Sequence, residues 1–314
     1  MHTVRKVGDN IWVLGDFLGG FDCNLTNPIL DLLALTNKGK PKIIVSEYIF
    51  DERVAENYKD FEFRLDIETS ERICFKPLMC LSDIKLKKKF FNFSCSFNGS
   101  GHVSRQFLTA SLYKLNWVNP KYFSKNFSFS RDLLAGNIHS YFHNNLQERF
   151  YRKFIISDSD DAEEFYHSMH AYDYNVKNHV HNLQILSDKI NSSFIQIVGE
   201  TCATSYYPFI TEKFLYPLIL KTLWVAYAQP GYYHHLEKYY GFKKYDTIFS
   251  YEFDQIENPV IRLVELLTML GKFEKLSNFD WHDLYLLQSD IIEYNYNHYF
   301  SKEYLSVINK WNMY

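Results

Sequence analysis

The chain has 314 residues, of which 46% are hydrophobic and 18% aromatic, so it can form a sizeable core and lacks the composition of a disordered chain. Its formal net charge of −3 argues against strong non-specific binding to nucleic acid. No apolar run reaches about 18 residues, no apolar leader follows Met1, and the five cysteines form no Cys-x-x-Cys pair. We therefore expect a cytoplasmic protein with reduced thiols and no membrane span.

Strand-like and helix-like segments alternate through the first half of the chain. The strand-like segments are 11–14, 42–46 and 90–95, and the helix-like segments are 28–35, 51–58 and 102–115. This order predicts an α/β domain with a parallel sheet. An acidic, serine-containing run at 157–161 is typical of a linker or surface loop, so we place a domain boundary between residues 155 and 156.

A second α/β unit follows, and its polar residues stand where strands end. The run 193–199 is strand-like and leads to Glu200, after which Thr211-Glu212-Lys213 stands at a predicted helix start. The apolar run 223–228 leads to a turn and another helix, and leucines at helical spacing predict a helical tail. Ligands bind at the carboxyl ends of parallel strands. Because Glu accepts from ribose hydroxyls and Lys neutralises a diphosphate, the unit fits a sugar nucleotide.

An ordered set of residues in this unit resembles the donor-binding half of GT-B glycosyltransferases. The set is Glu200-Thr201, Thr211-Glu212-Lys213, Tyr216-Pro217, Gln229-Pro230-Gly231, Leu236, Gly241-Phe242-Lys243, Asn258-Pro259 and Arg262. Its Glu…Thr-Glu-Lys part is similar to the signature of the α-1,3-fucosyltransferases. The longer pattern is similar to a family of phage and bacterial proteins that are presumed to be glycosyltransferases.

The resemblance implies an α/β fold with two Rossmann-like domains facing each other across a cleft, the GT-B arrangement. Residues 1–155 would form the N-terminal Rossmann-like acceptor domain. Residues 156–314 would form the C-terminal nucleotide-sugar-binding domain with its helical tail. The protein would then act in the cytoplasm of a bacterial or virus-infected host cell.

The resemblance also implies roles for individual residues of the second unit. Glu212 would hold the ribose and Lys213 would face the diphosphate, while Glu200 and Thr211 would belong to the same donor site. Thr211 is equally well explained as a helix N-cap, which leaves amides open to an anion. Gln229-Pro230-Gly231 is interpreted as a turn, and Glu252 and Asp254 as solvated loop residues.

Candidate catalytic residues come from the N-terminal half. GT-B enzymes often bring a glycine loop against the donor phosphates, and Gly19 stands in such a loop after the first strand. Asp16 and His102 are candidates for the general base that an inverting transferase needs. Arg105, the fourth residue of the predicted helix 102–115, can pair with phosphate. His102 and Arg105 are each equally compatible with a helix-capping or surface role.

The expected reaction is transfer of a hexose, deoxyhexose (fucosyl) or pentose from a nucleotide-diphosphate sugar to an acceptor hydroxyl. The acceptor is left open between a surface glycan and a hydroxymethylated base in phage DNA, which would make this a DNA-modification enzyme. No cofactor or obligatory metal is expected, because Lys, Arg and helix dipoles can offset the charge of the leaving diphosphate. The alternative is a non-catalytic nucleotide- or glycan-binding protein of the same fold.

Overall fold

The computed structural model describes residues 2–8, 11–16, 35, 42–46, 57–65, 89, 91–95, 105, 108, 111–112, 114–117, 179–200, 203 and 210–311. Within these residues the protein has a mixed α/β structure with two sheets and, after residue 178, seven α-helices. The predicted α/β class with a parallel sheet is therefore confirmed. Among the described helices, none has both the length and the apolar composition that crossing a bilayer requires.

The first sheet has four strands in the order β1-β2-β3-β4. They are β1 (His2–Gly8), β2 (Ile11–Asp16), β3 (Lys42–Ser46) and β4 (Phe61–Leu65). β1 runs antiparallel to β2, while β2, β3 and β4 are parallel. The strands predicted at 11–14 and 42–46 are confirmed as β2 and β3, and β2 continues to Asp16.

The second sheet is parallel throughout and consists of β5 (Phe91–Cys95), β6 (Ser193–Gly199) and β7 (Leu223–Tyr227), with β6 in the middle. Every residue of β6 and β7 is buried, as expected for apolar strands of a parallel sheet that is covered on both faces. The strand predicted at 193–199 has the same limits in the structure. The strand predicted at 223–228 ends one residue earlier, at Tyr227.

Helices follow β5, precede and follow β6, and form the whole C-terminal part. The helices are α1 (His179–Asn191), α2 (Glu212–Ile219), α3 (Tyr232–Tyr240), a 3-10 turn (Glu252–Gln255), α4 (Pro259–Gly271), α5 (Asn278–Leu287), α6 (Ser289–Phe300) and α7 (Glu303–Trp311). Polar N-caps define where three of them begin: Thr211 for α2, Asn258 for α4 and Ser277 for α5. The predicted helical tail is confirmed.

Aromatic side chains hold the second sheet against its helices. Trp224 of β7 stacks on Tyr233 of α3, with ring centroids 5.7 Å apart, and meets the edge of Phe214 of α2. Trp281 of α5 stacks on Phe194 of β6, with ring centroids 5.3 Å apart. These contacts fix both the helices at the carboxyl edge and the tail relative to the sheet.

The predicted domain boundary lies outside the described residues, and the division into 1–155 and 156–314 stays a prediction. The two parts of the chain contribute strands to the same sheet. β5, from the first part of the chain, pairs in parallel with β6 from the second part. The described residues of the predicted helix 102–115 are helical at 105, 108, 111, 112 and 114. The predicted helices 28–35 and 51–58 are described only at 35, 57 and 58, and the run 157–161 lies outside the described residues.

Candidate functional site

The site predicted from the sequence lies at the carboxyl edge of the second sheet. β6 and β7 end side by side, with Gly199 paired to Tyr227, and Glu200 directly follows β6. Thr211 then caps α2, because its side chain accepts a hydrogen bond from the backbone amide of Lys213 at 3.3 Å. Glu200, Thr211, Glu212 and Lys213 therefore meet where a strand end faces a helix N-terminus.

Glu200 is fully buried and its carboxylate is hydrogen-bonded on both oxygens. Its Oε1 accepts from the backbone amide of Thr211 at 3.2 Å and from the hydroxyl of Tyr232 at 2.9 Å. Its Oε2 accepts from the hydroxyl of Thr211 at 2.7 Å. Because Tyr232 opens α3, this carboxylate joins the end of β6 to the starts of α2 and α3. Burial raises the pKa of Glu200, against the opposing effects of Lys213, Thr211 and Arg105.

Lys213 brings a cation into the same place. Its ammonium nitrogen lies 2.5 Å from Oε1 of Glu212, and only 7% of its side chain is exposed, against 12% for Glu212. Burial lowers the pKa of Lys213, while the neighbouring Glu212 and Glu200 raise it and Arg105 lowers it. The Lys213 charge is therefore held in a poorly solvated place, where a second anion would interact with it strongly.

Arg105 is the second cation, and it comes from a distant part of the chain. It is 3% exposed, and its Nε donates to the carbonyl of Gly199 at 2.9 Å across 94 residues of sequence. Leu108 and Leu112, which follow on the same helical face, are fully buried, so this face packs inward and carries Arg105 with it. The influence of Arg105 on the pKa of Glu200 and Lys213 agrees with this position.

We call Arg105, Glu200, Glu212 and Lys213 the charged cluster. The net charge of the cluster is zero when its two cations and two anions are all ionised. Buried charges are costly even when paired, and an apolar cluster of similar volume often supports a fold equally well. Ionisable groups whose pKa values are shifted by burial and by each other, at the carboxyl edge of a parallel sheet, therefore mark a candidate binding site.

The N-terminus of α3 also holds a protein carboxylate, that of Asp254. Asp254 accepts from the backbone amide of Tyr233 at 3.2 Å, and its carbonyl accepts from the amide of Gly231 at 2.7 Å. Asp254 is 3% exposed, so its interpretation as a solvated loop residue was wrong, whereas Glu252 is exposed as expected. Burial raises the pKa of Asp254 to about 7. The starts of α2 and α3 are thus each in contact with a buried carboxylate, Glu200 at α2 and Asp254 at α3.

Other residues of the sequence pattern have structural roles. Gly231 and Gly241 both have a φ of 74°, which favours glycine, and Asn258 caps α4 through Val260 and Ile261. Arg262 is 1% exposed and its guanidinium donates to backbone carbonyls of Ala203, Ala228, Ile256 and Glu257. It thereby ties the loops after β6 and β7 to the start of α4. Gln229-Pro230-Gly231 forms the predicted turn.

Three predicted residues are not joined to the charged cluster by the described contacts. Asp16 is the last residue of β2, where its backbone pairs with His2, and it stands at the carboxyl end of a strand that is parallel to β3. Gly19 and His102 lie outside the described residues. Sequence reasoning missed Tyr232, whose hydroxyl completes the Glu200 contacts, because nothing distinguishes it among 25 tyrosines.

His235, a buried histidine of α3, has a role within the fold. His235 packs on Tyr239, with ring centroids 5.3 Å apart, and its Nδ1 lies 2.7 Å from the carbonyl of Gly231. In the described part of the chain, no three His, Cys, Asp or Glu side chains are grouped so that they could hold a metal ion.

Neither family models, nor curated proteins, nor solved structures yield a match to this chain.

Proposed function

We propose that this protein is a glycosyltransferase that moves a sugar from a nucleotide-diphosphate sugar to an acceptor hydroxyl. One observation carries the proposal: two buried cations, Arg105 and Lys213, accompany Glu200 at the carboxyl end of β6, beside the N-terminus of α2. Nucleotides bind at this edge of parallel sheets. A leaving diphosphate needs positive charge that is fixed in advance, and buried cations beside a helix N-terminus supply it without a metal ion.

The contacts support a division of roles within the cluster. Lys213 and Arg105 bind the diphosphate, and Glu212, which is partly exposed, accepts from the ribose hydroxyls. Glu200 already accepts three hydrogen bonds from the protein, so we assign it a positioning role instead of direct contact with the donor. In this role it holds the start of α2, and therefore Lys213, against the end of β6.

The remaining parts of the proposal concern the second half of a GT-B enzyme. The three parallel strands of the first sheet are compatible with a Rossmann-like acceptor domain, and Asp16 ends one of them. Asp16 and His102 remain the candidates for the general base on the acceptor hydroxyl. The acceptor is a surface glycan or a hydroxymethylated base, and both present the hydroxyl group that this reaction requires.

A thermal-shift screen with UDP-, GDP-, CMP- and dTDP-sugars tests the proposal. We expect one nucleotide to raise the melting temperature of the wild type and to lose this effect in Lys213→Met, since binding to the folded state stabilises it. Lys221→Met is the matched control. Lys221 pairs with Glu293 at 2.6 Å on the surface, with 21% of its side chain exposed, and its loss should leave the shift unchanged.

Two outcomes would contradict the proposal. If no nucleotide shifts the wild type, the cluster does not bind a donor. If Lys213→Met and Lys221→Met respond alike, the buried cation is not part of the site. Slow hydrolysis of the bound nucleotide sugar separates an enzyme from a non-catalytic binding protein of the same fold, because only the enzyme activates the bond to the sugar.

A further inference from the structure

Gln229, which follows β7, has a side-chain amide with no hydrogen-bond partner among the residues that the structure describes. The side chain is 0% exposed. Among the buried side-chain amides of the described residues, Gln229 is the one whose nitrogen and oxygen both lack a hydrogen-bond partner. Folded proteins pair nearly all buried amides, because an unpaired one has lost its water without compensation. The amide therefore lowers stability relative to an apolar side chain of similar size.

The short segment that carries Gln229 is attached to Glu200 of the charged cluster. The backbone amide of Glu200 donates to the carbonyl of Tyr227 at 3.0 Å, and the hydroxyl of Tyr232 donates to the carboxylate of Glu200 at 2.9 Å. The segment between Tyr227 and Tyr232 is thus attached to Glu200 at both ends. Gln229 is in the middle of this short segment, at the same edge of the sheet as Lys213.

We propose that the amide of Gln229 binds the uncharged part of the nucleotide sugar and sets specificity; this inference rests on the proposed function. An amide offers a donor and an acceptor side by side. Phosphate oxygens only accept hydrogen bonds, so they can pair with the amide N–H groups but not with the amide oxygen. A base edge or a pair of sugar hydroxyls can pair with both. Lys213 and Arg105 bind the phosphates of the donor, and Gln229 forms hydrogen bonds with its uncharged groups.

Because the amide is buried, a ligand reaches it only when the surrounding side chains move apart, as in sites that close over their substrate. The ligand then supplies the hydrogen bonds that the protein does not. A site of this kind discriminates strongly, because an analogue without the matching groups leaves the amide unpaired again.

The test is calorimetric titration of Gln229→Met with UDP, GDP, dTDP and CMP, and with UDP-glucose, GDP-fucose, dTDP-glucose and CMP-sialic acid. For the probe that the wild type binds, we expect at least about tenfold weaker binding by the variant. Weaker binding of both the nucleotide and its sugar conjugate assigns Gln229 to the nucleoside. Weaker binding of the conjugate alone assigns it to the sugar. Unchanged binding overturns the inference.

Stability provides the second readout. Gln229→Met should unfold at the same urea concentration as the wild type or a higher one, and a lower midpoint would show that the amide supports the fold and overturn the inference. Gln288→Met is the matched control. Gln288 is buried in the helical tail, but its Nε2 donates to Thr247 at 2.5 Å, so its loss should lower the midpoint and leave binding unchanged.

The two proposals fail in different ways. If the wild type binds none of the probes, the proposed function fails and this inference fails with it. If the wild type binds, Lys213→Met does not, and Gln229→Met binds like the wild type, then only the inference fails.

Discussion

Gly231 and Gly241 flank α3 and have the same backbone conformation. Alanine substitutions at the two positions therefore measure how tightly side chains pack at the C-terminal end of the helix. Gly241 ends α3 with a φ of 74°, and a Cβ atom built there lies 2.8 Å from Nε2 of His298 and 3.2 Å from Val307. His298 cannot move away easily, because it is buried and its Nε2 lies 2.7 Å from the carbonyl of Tyr240. The left-handed conformation costs alanine about 1–2 kcal/mol, and the collision adds about 1–3 kcal/mol. We therefore expect Gly241→Ala to lower the free energy of unfolding by about 3 kcal/mol.

Gly231 is the matched control for this substitution. Its φ is also 74°, but among the described residues a Cβ atom there approaches only His235, at 3.6 Å, which is an ordinary contact. Gly231→Ala should therefore show the backbone cost alone, about 1–2 kcal/mol. Urea unfolding followed by tryptophan fluorescence measures both variants. Equal losses of stability would refute the reasoning, since the collision with His298 would then contribute nothing.

Three further predictions concern buried ionisable groups. Glu200→Ala leaves three buried donors unpaired and should lower the free energy of unfolding, measured by urea titration, by about 3–5 kcal/mol. Glu293→Ala is the control: it removes a surface ion pair and should lower the free energy of unfolding by less than about 1 kcal/mol. Because the folded chain holds the Asp254 proton more tightly than the unfolded chain, with a pKa raised from 3.8 to about 7, stability should fall as pH rises through this window. Asp254→Asn should reduce that dependence, and an unchanged pH profile would contradict the assignment. Burial lowers the pKa of Lys213 and a bound diphosphate favours its charged form, so nucleotide affinity measured by calorimetry should fall as pH rises through the lowered pKa of Lys213, and this fall should be absent in Lys213→Met.

The sequence predicts the buried strands well and the amphipathic ones poorly. β7 is a continuous apolar run and β6 is apolar except at Ser193 and Gln196; both are buried in full, and such runs stand out from their surroundings. β4 has an alternating pattern, Phe-Glu-Phe-Arg-Leu, which indicates a strand but is short and lies in a polar region. β1 includes Arg5 and Lys6 among its apolar residues, and its place at the edge of the sheet follows from pairing with β2, which the sequence alone does not reveal.

Only part of the candidate site follows from local sequence, and the rest depends on contacts between distant parts of the chain. The cap at Thr211 and the position of Lys213 in the first turn of α2 follow from local sequence. The approach of Arg105 to Gly199 depends on tertiary folding across 94 residues. The unpaired state of Gln229 is likewise invisible in the sequence, where Gln-Pro-Gly indicates only a turn. It depends on which groups surround the amide in the folded chain.

The most direct test of the central claim compares the affinity for a nucleoside diphosphate with that for the matching nucleoside monophosphate. The account predicts that the wild type binds the diphosphate at least about tenfold more tightly, because Lys213 and Arg105 interact with the additional phosphate. The same comparison in Lys213→Met should lose most of this preference, while Lys221→Met should keep it. Equal preference for the diphosphate in the wild type and in Lys213→Met would contradict the claim that the buried cation binds the donor.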